Sequence, residues 1–352
     1  MGISFRSIFS IFFSLAVYSL DCYKFNCKSS DMLFVNETCI FYEPTQGKYW
    51  LNECPKYFYC PIPAPIQEIN STCQYIPKPS SYLWPGEPCT SNSSCITNAC
   101  IDSICIGNTA GESCKSDGDC NPGLFCNSEK CTQQINTGSY GCSRDEDCVN
   151  SSFCNFTGNP ATSICVLGYS LASSQAIANC ENGVSNLCQN IACIGGNNPV
   201  CNVKLSSQLL PKACQSSNDC QIDGNLSEYL PSCECAFNPN GKAYCGLYPG
   251  DKLYQQYLIM LQDWIKSDII NKCNTERRGI SPCMQAYYPN YLKLAYYASL
   301  VSAYPQLQNA PNCAQQIYLS NYWGFLQQIN DQDEYSNSNQ ILLSLALLFI
   351  LY

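Results

Sequence analysis

Cys89 and Cys95, Cys114 and Cys120, Cys142 and Cys148, and Cys214 and Cys220 each enclose five residues. Paired cysteines have two principal uses, as thiolate ligands of a metal or as halves of disulfides. Structural zinc favours C-x2-C pairs, often completed by histidine. No two cysteines here are separated by two residues, and the 352-residue chain has no histidine. The chemistry expected of its 30 cysteines is therefore oxidation, giving a disulfide scaffold sustained in an oxidising compartment. The count is even, so all can pair, and spacing leaves the connectivity open. No metal and no cofactor is expected.

The missing histidine also removes the commonest general acid/base near neutral pH. Ser-His-Asp and Cys-His nucleophile arrangements cannot be built. Two carboxylates facing across a cleft would suffice for glycoside hydrolysis. The 27 Asp and Glu are sparse, however, and many lie in turn-like, cysteine-rich segments where nothing marks a pair. No catalytic residue is named, and the chain reads as a non-enzyme. A net charge of −9 without a basic stretch argues against nucleic acid, whose phosphates need Lys and Arg.

The elements that place the cysteines are copied units. GEPCTSNSSC at Gly86 recurs as GESCKSDGDC at Gly111 and YGCSRDEDC at Tyr140, and KACQSSNDC repeats the opening around Cys214. Each of the first three is completed by two further cysteines: Cys100 and Cys105, Cys126 and Cys131, Cys154 and Cys165. Repetition at this period marks one small unit that cross-links hold in place of a large core. Ser, Asn, Asp and Gly between the cysteines favour turns. Asp119, Asp147 and Asp219 each precede a second cysteine. Asp117-Gly118-Asp119 lacks the further ligands and closing Glu of an EF-hand loop, so these acids are expected to cap tight turns.

The unit Gly111 to Cys131 resembles the N-terminal cysteine-rich domain of Dickkopf proteins. The likeness lies in the Asp before the second cysteine and the glycine and aromatic residue leading into the third. The unit from Cys142 lacks the glycine before Phe153, and that from Cys89 lacks both Asp and aromatic. The resemblance spans Gly86 to Cys165 and implies a small disulfide-tied module. Dickkopf proteins antagonise Wnt signalling through co-receptors, with a major part played by a separate C-terminal domain. That domain has no counterpart here, so the activity is not implied. The architecture also resembles glycosylphosphatidylinositol (GPI)-linked, cysteine-rich surface proteins of ciliates and other protists, without the repeated C-x2-C pairs that many of those carry.

Both ends carry addresses. Residues 1–19, with Arg6 ahead of an apolar run, have the form of a signal peptide cleaved after Ser19. Residues 337–352 end in an apolar stretch from Ile341 to Tyr352, well short of the roughly 20 residues a spanning helix needs. Small residues precede it, making Ser336, Asn337 and Ser338 candidates for GPI attachment. Asn36, Asn70, Asn92, Asn150, Asn155 and Asn225 begin N-glycosylation sequons and are expected on solvated loops.

The expected fold is a series of small disulfide-rich modules, coil with short β-strands, followed by a C-terminal α-helical region. Residues 20–80 form a first cysteine-rich segment whose aromatics supply a small core, and Pro-rich stretches close it. The repeats occupy 86–165, and a less regular cysteine-rich region follows over 166–249. There Cys201 to Cys245, with Cys233, Cys235 and the Cys214/Cys220 pair, can alternatively be parsed as an EGF-like module. Within 250–330, Tyr254, Leu258, Leu261, Ile265 and Ile269 recur on one helical face. Further helices are expected over Asn290–Tyr304 and Cys313–Ile329, the three packing as a bundle. Residues 22–245 hold 27 cysteines and the helical region three, so full pairing requires a bridge between them, from Cys273 or Cys313 rather than Cys283. The function implied is a non-enzymatic coat, adhesion or receptor-like protein of the cell surface, held on the outer leaflet by a lipid anchor. The alternative is a secreted or tethered inhibitor presenting rigid loops. In either case the partner is an extracellular protein or glycan.

Overall fold

The computed structural model describes residues 22–55, 58–61, 70–75, 82–181, 183–202, 210–221, 230–279 and 282–318. The leader, Asn225, residues 319–329 of the third expected helix, and Ser336, Asn337 and Ser338 lie outside them.

Short aromatic and β-branched runs, KFNC, TCIFYE and KYWL, build the N-terminal sheet. It comprises β1 (Lys24–Cys27), β2 (Thr38–Glu43), β3 (Lys48–Leu51) and the short strand Ser71–Thr72. Its spatial order is β1, β3, β2, then Ser71–Thr72, with β1 parallel to β3. Side chains of a strand alternate between faces. Thus Tyr49 and Leu51 of β3 reach the core with Phe25 of β1, which stacks on Tyr49 at 5.0 Å. Cys39–Cys60 and Cys54–Cys73 fasten this sheet.

Each repeat follows one plan. A residue ahead of the unit forms a parallel bridge with the second cysteine, as in Leu83 with Cys95, Asn108 with Cys120 and Ile135 with Cys148. A hairpin then sets the third and fourth cysteines opposite one another: Cys100 with Cys105, Cys126 with Cys131, Cys154 with Cys165. Directly paired residues point to the same face. Both can therefore reach back to the opening pair, and the first cysteine joins the third while the second joins the fourth. The buried cluster of the second repeat is Cys114, Cys120, Cys131 and Leu124; in the first it is Cys89, Cys95 and Cys105. Oxidised sulfur is most of the interior.

The plan continues past Cys165. Leu171 bridges Cys188, Cys193 pairs with Cys201, and the bonds Cys180–Cys193 and Cys188–Cys201 repeat the pattern. This fourth copy is hidden in the sequence because seven residues, not five, separate Cys180 from Cys188. Cys214–Cys233 and Cys220–Cys245 make a fifth. The EGF-like parse of Cys201 to Cys245 is thereby overturned: Cys201 belongs to the fourth repeat, and Cys235 is bonded to Cys22.

Among the described residues, α-helix begins only with α1 (Lys252–Ile265), followed by α2 (Pro282–Tyr287), α3 (Tyr291–Ser302) and α4 (Asn312–Tyr318). α1 ends at Ile265, so its expected face does not continue to Ile269. A 3-10 turn over Asp268–Lys272 exposes Ile269 and buries Ile270 instead. Among the described residues, the helices do not pack as the expected three-helix bundle. α1 and α3 pack together against the third and fourth repeats, through Leu258, Trp264, Leu294 and Phe153. Ala314 and Ile317 of α4 instead join Phe25, Tyr49 and Phe237 in the N-terminal core. The bridge required by parity is Cys27–Cys313.

Candidate functional site

The side chains with most chemical potential collect where the described residues of the stretch 266–288 (266–279 and 282–288) enter the junctions between repeats. This segment, termed the clasp, is closed on itself by Cys273–Cys283. It approaches the first repeat so closely that a β-carbon on Gly86 would lie 2.1 Å from the Lys272 carbonyl oxygen, and Gly86 holds a positive φ of 91°. Glycine is the residue that meets both conditions. The Tyr287 hydroxyl donates to the Gly86 carbonyl at 2.7 Å.

Two asparagines make reciprocal joints. Asn274 of the clasp donates its side-chain amide to the Asp117 and Cys120 carbonyls of the second repeat, at 2.7 and 2.9 Å. Asn150 of the third repeat donates to the Ile270 and Cys273 carbonyls of the clasp, at 2.9 and 2.8 Å. Both are fully buried. A carboxamide suits the task because its two N–H groups can reach two carbonyls of one tight turn at once; the Asp117 and Ile270 carbonyls also accept the backbone amides of Cys120 and Cys273. Thr275 adds a hydrogen bond to the Glu146 carbonyl.

Two arginines complete the contact. The Arg277 guanidinium lies 4.4 Å from the ring centre of Trp84, which also covers Gly118 of the second repeat. Arg278 lies 4.8 Å from the ring centre of Phe153 and donates to the Ser152 carbonyl at 2.8 Å, while its own carbonyl accepts from Trp264 Nε1 at 2.6 Å. Burial pushes the Arg278 pKa down from the ordinary guanidinium value, opposed by the Asp145 and Glu146 carboxylates and by Tyr169. Asp145 is pushed up by burial, against the Cys154 amide it accepts from and the charge of Arg278.

The acids of the repeats are committed to backbone. Asp119, Asp147 and Asp219 each accept from two consecutive amides at the head of a 3-10 turn, the capping role expected of them. These amides hold the exposed Asp219 carboxyl below its usual range. A second acceptor, three residues before the second cysteine, takes the amide of the third cysteine: Asn92, Asp117 and Asp145 at 2.8, 2.6 and 2.8 Å, and Ser217 in the fifth copy at 3.3 Å. This position was missed because its identity varies while its acceptor chemistry does not. Asp117 is also gripped by Arg144 of the next repeat through two contacts of 2.6 and 2.8 Å, a bidentate lock between units. The tightest groups of possible metal ligands are cysteine triads such as Cys89, Cys95 and Cys105, and every sulfur in them is in a disulfide. A disulfide sulfur is not the thiolate that binds metal.

Glu87, fully buried in the first repeat, accepts from the Trp84 amide at 3.0 Å. Burial raises its pKa above 4.5, while the Trp84 amide, Arg277 and the Cys283 amide oppose the shift. Glu87 in turn acts on the facing Tyr287 hydroxyl, whose pKa is raised by burial first and by this carboxyl second. A carboxyl whose folded-state pKa is raised stabilises the fold fully below its unfolded pKa, and that contribution is lost as pH rises through the folded value. Glu87→Gln is therefore expected to flatten the fall in stability as pH rises above the ordinary carboxylate range and to raise Tm at pH 7. Thermal unfolding across that rise in pH checks it; a profile parallel to the parent protein's would refute it.

All the sequence-named cysteines of the repeats and helices are bonded: Cys89, Cys95, Cys100, Cys105, Cys114, Cys120, Cys126, Cys131, Cys142, Cys148, Cys154, Cys165, Cys214, Cys220, Cys233, Cys235, Cys245, Cys273, Cys283 and Cys313. Of the sequons, Asn36, Asn70 and Asn92 are exposed and Asn155 is half-buried. Asn150 does not lie on a solvated loop as expected. Its amide is consumed by the clasp. Comparisons with protein-family models, with curated proteins and with solved structures found no match.

Proposed function

We propose that this is a non-enzymatic surface protein, a coat, adhesion or receptor-like component displayed outside the cell on a GPI anchor. Heavy disulfide bonding places the chain among proteins of the extracellular or secreted type. The observation that carries the reading further is where the sulfur sits: it forms most of the interior of the first three repeats, so these units could not persist in a reducing compartment. The apolar residues 341–352 behind Ser336, Asn337 and Ser338, and the leader-like residues 1–19, supply the route and the attachment. The Dickkopf-like stretch from Gly86 to Cys165 contributes a module and carries no activity with it. The partner is an extracellular protein or glycan, met by the outer face of the repeats.

Treating intact cells with a phosphatidylinositol-specific phospholipase C is expected to release most of the protein into the medium. Retention after treatment of a control-validated preparation would refute the anchor. A second reading, a secreted or tethered inhibitor, is favoured by the hairpin tip of the first repeat. There Ile101 stands 57% exposed beside Asp102 and Ser103, both at positive φ. Mature protein found only in the medium, without phospholipase, would select it.

A further inference from the structure

Asn150 is both a sequon asparagine, followed by Ser151 and Ser152, and a structural joint with no exposed surface. N-glycosylation replaces one hydrogen on Nδ2 with the first sugar. In the fold both Nδ2 hydrogens are engaged, one toward Ile270 and one toward Cys273, while Oδ1 accepts from Gln134 at 3.2 Å. Ser152 is buried as well, its hydroxyl against Thr137 and its carbonyl under Arg278. There is neither a spare hydrogen nor room for a sugar.

Asn92 is the internal contrast. It sits in the turn of the first repeat, exposed, with Oδ1 holding the Cys100 amide. A glycan on its Nδ2 leaves that acceptor untouched. Asn36 and Asn70 are exposed too, the latter also using Oδ1, toward the Tyr42 amide.

We propose that N-glycosylation at Asn150 and seating of the clasp exclude one another, so that the sequon acts as a checkpoint on assembly. The clasp partners lie 120 and 123 residues downstream of Asn150. The N-terminal part of a chain folds and is exposed to modification before later parts are made. Asn150 thus passes the glycosylation machinery before its cover exists. A chain modified there keeps its stapled repeats but cannot close residues 266–288 onto the third one. A chain left bare closes and then has no acceptor to offer.

The inference rests on passage through the secretory pathway, and the experiment separates the two. The full chain is made in a glycosylating eukaryotic host, and site occupancy is read by peptide mapping with glycosidase. Surface-delivered protein is expected to carry glycan at Asn36, Asn70 and Asn92, with Asn150 below one part in twenty. A glycan on Asn150 in protein whose clasp amides remain protected from hydrogen exchange overturns the exclusion. Bare Asn36, Asn70 and Asn92 would count against the glycoprotein reading only. The exclusion is then decided by Asn150→Gln, whose longer side chain displaces the amide. Exchange across residues 268–279 is expected to quicken at least tenfold, with the repeat hairpins unchanged. A clasp as protected as the parent's would overturn the proposal without reference to any glycan.

Discussion

Replacing Cys27 and Cys313 together with alanine is expected to cost about 4 kcal/mol of stability in the N-terminal unit, while repeats one to four unfold as before. The bond joins residues 286 apart in sequence, but Cys22–Cys235 already gathers most of that span. The loop left for Cys27–Cys313 to close is on the order of 80 residues, and chain entropy assigns such a loop about 4–5 kcal/mol. The cost should be expressed locally because the core it serves is assembled from three distant pieces. Phe25 and Tyr49 come from the sheet, Phe237 from the fifth repeat, and Ala310, Ala314 and Ile317 from around α4. α4 has seven residues, too few for an isolated helix to persist in water. Without the bridge it is held by apolar contact and by the hydrogen bonds that tie the preceding Gln306 and Asn309 to the fifth repeat. Non-reducing guanidinium unfolding should show a transition at lower midpoint for the N-terminal unit, with hydrogen exchange accelerated in β1 and α4. Superimposable curves for parent and variant would show that packing, not the bridge, holds the two ends together.

How much of this was legible beforehand differs by element, for physical reasons. The repeats declared themselves because a disulfide demands cysteine, and no other residue can substitute. The fourth copy escaped because the same bonds tolerate two extra residues between Cys180 and Cys188, the slack being absorbed in the loop. Parity required the link between body and helices, since a count of thiols is independent of geometry. Which cysteine supplied it was decided by α4 docking on β1, a tertiary event that periodicity does not record. The clasp was invisible for a related reason. Asn274, Thr275, Arg277 and Arg278 read as an ordinary polar loop, and their partners are mostly backbone carbonyls, which leave no trace in sequence. The adjacent arginines were a faint signal in a chain with only 18 basic residues. Asn150 misled outright, because the carboxamide that accepts a glycan also bridges two carbonyls.

That same loop makes Trp264→Ala the most damaging single change expected, at about 3–5 kcal/mol. Trp264 of α1 is fully buried against the clasp, its ring 5.4 Å from Tyr288 and its Nε1 bonded to the Arg278 carbonyl. Removing the ring opens a cavity among Leu258, Ile270, Met284 and Leu294, a region without a disulfide stapling α1 in place. It also frees the backbone of Arg278, whose guanidinium must keep its place over Phe153 to reach Ser152. Trp264→Phe separates the two contributions. It retains most of the packing and loses the hydrogen bond, so about 1–2 kcal/mol is expected, largely from the stranded carbonyl. In both variants the first two repeats should stay folded, because their cores are covalent and separate from α1, whereas Phe153 of the third repeat and Cys188, Cys193 and Cys201 of the fourth share a buried cluster with it. Hydrogen exchange would then show loss of protection over α1 and residues 268–288, with Cys126 and Cys131 hairpin amides unaffected. Global unfolding of the repeats in Trp264→Ala would mean that the disulfides close a fold the clasp must first assemble. Equal losses in the two variants would place the whole effect in the hydrogen bond to Arg278.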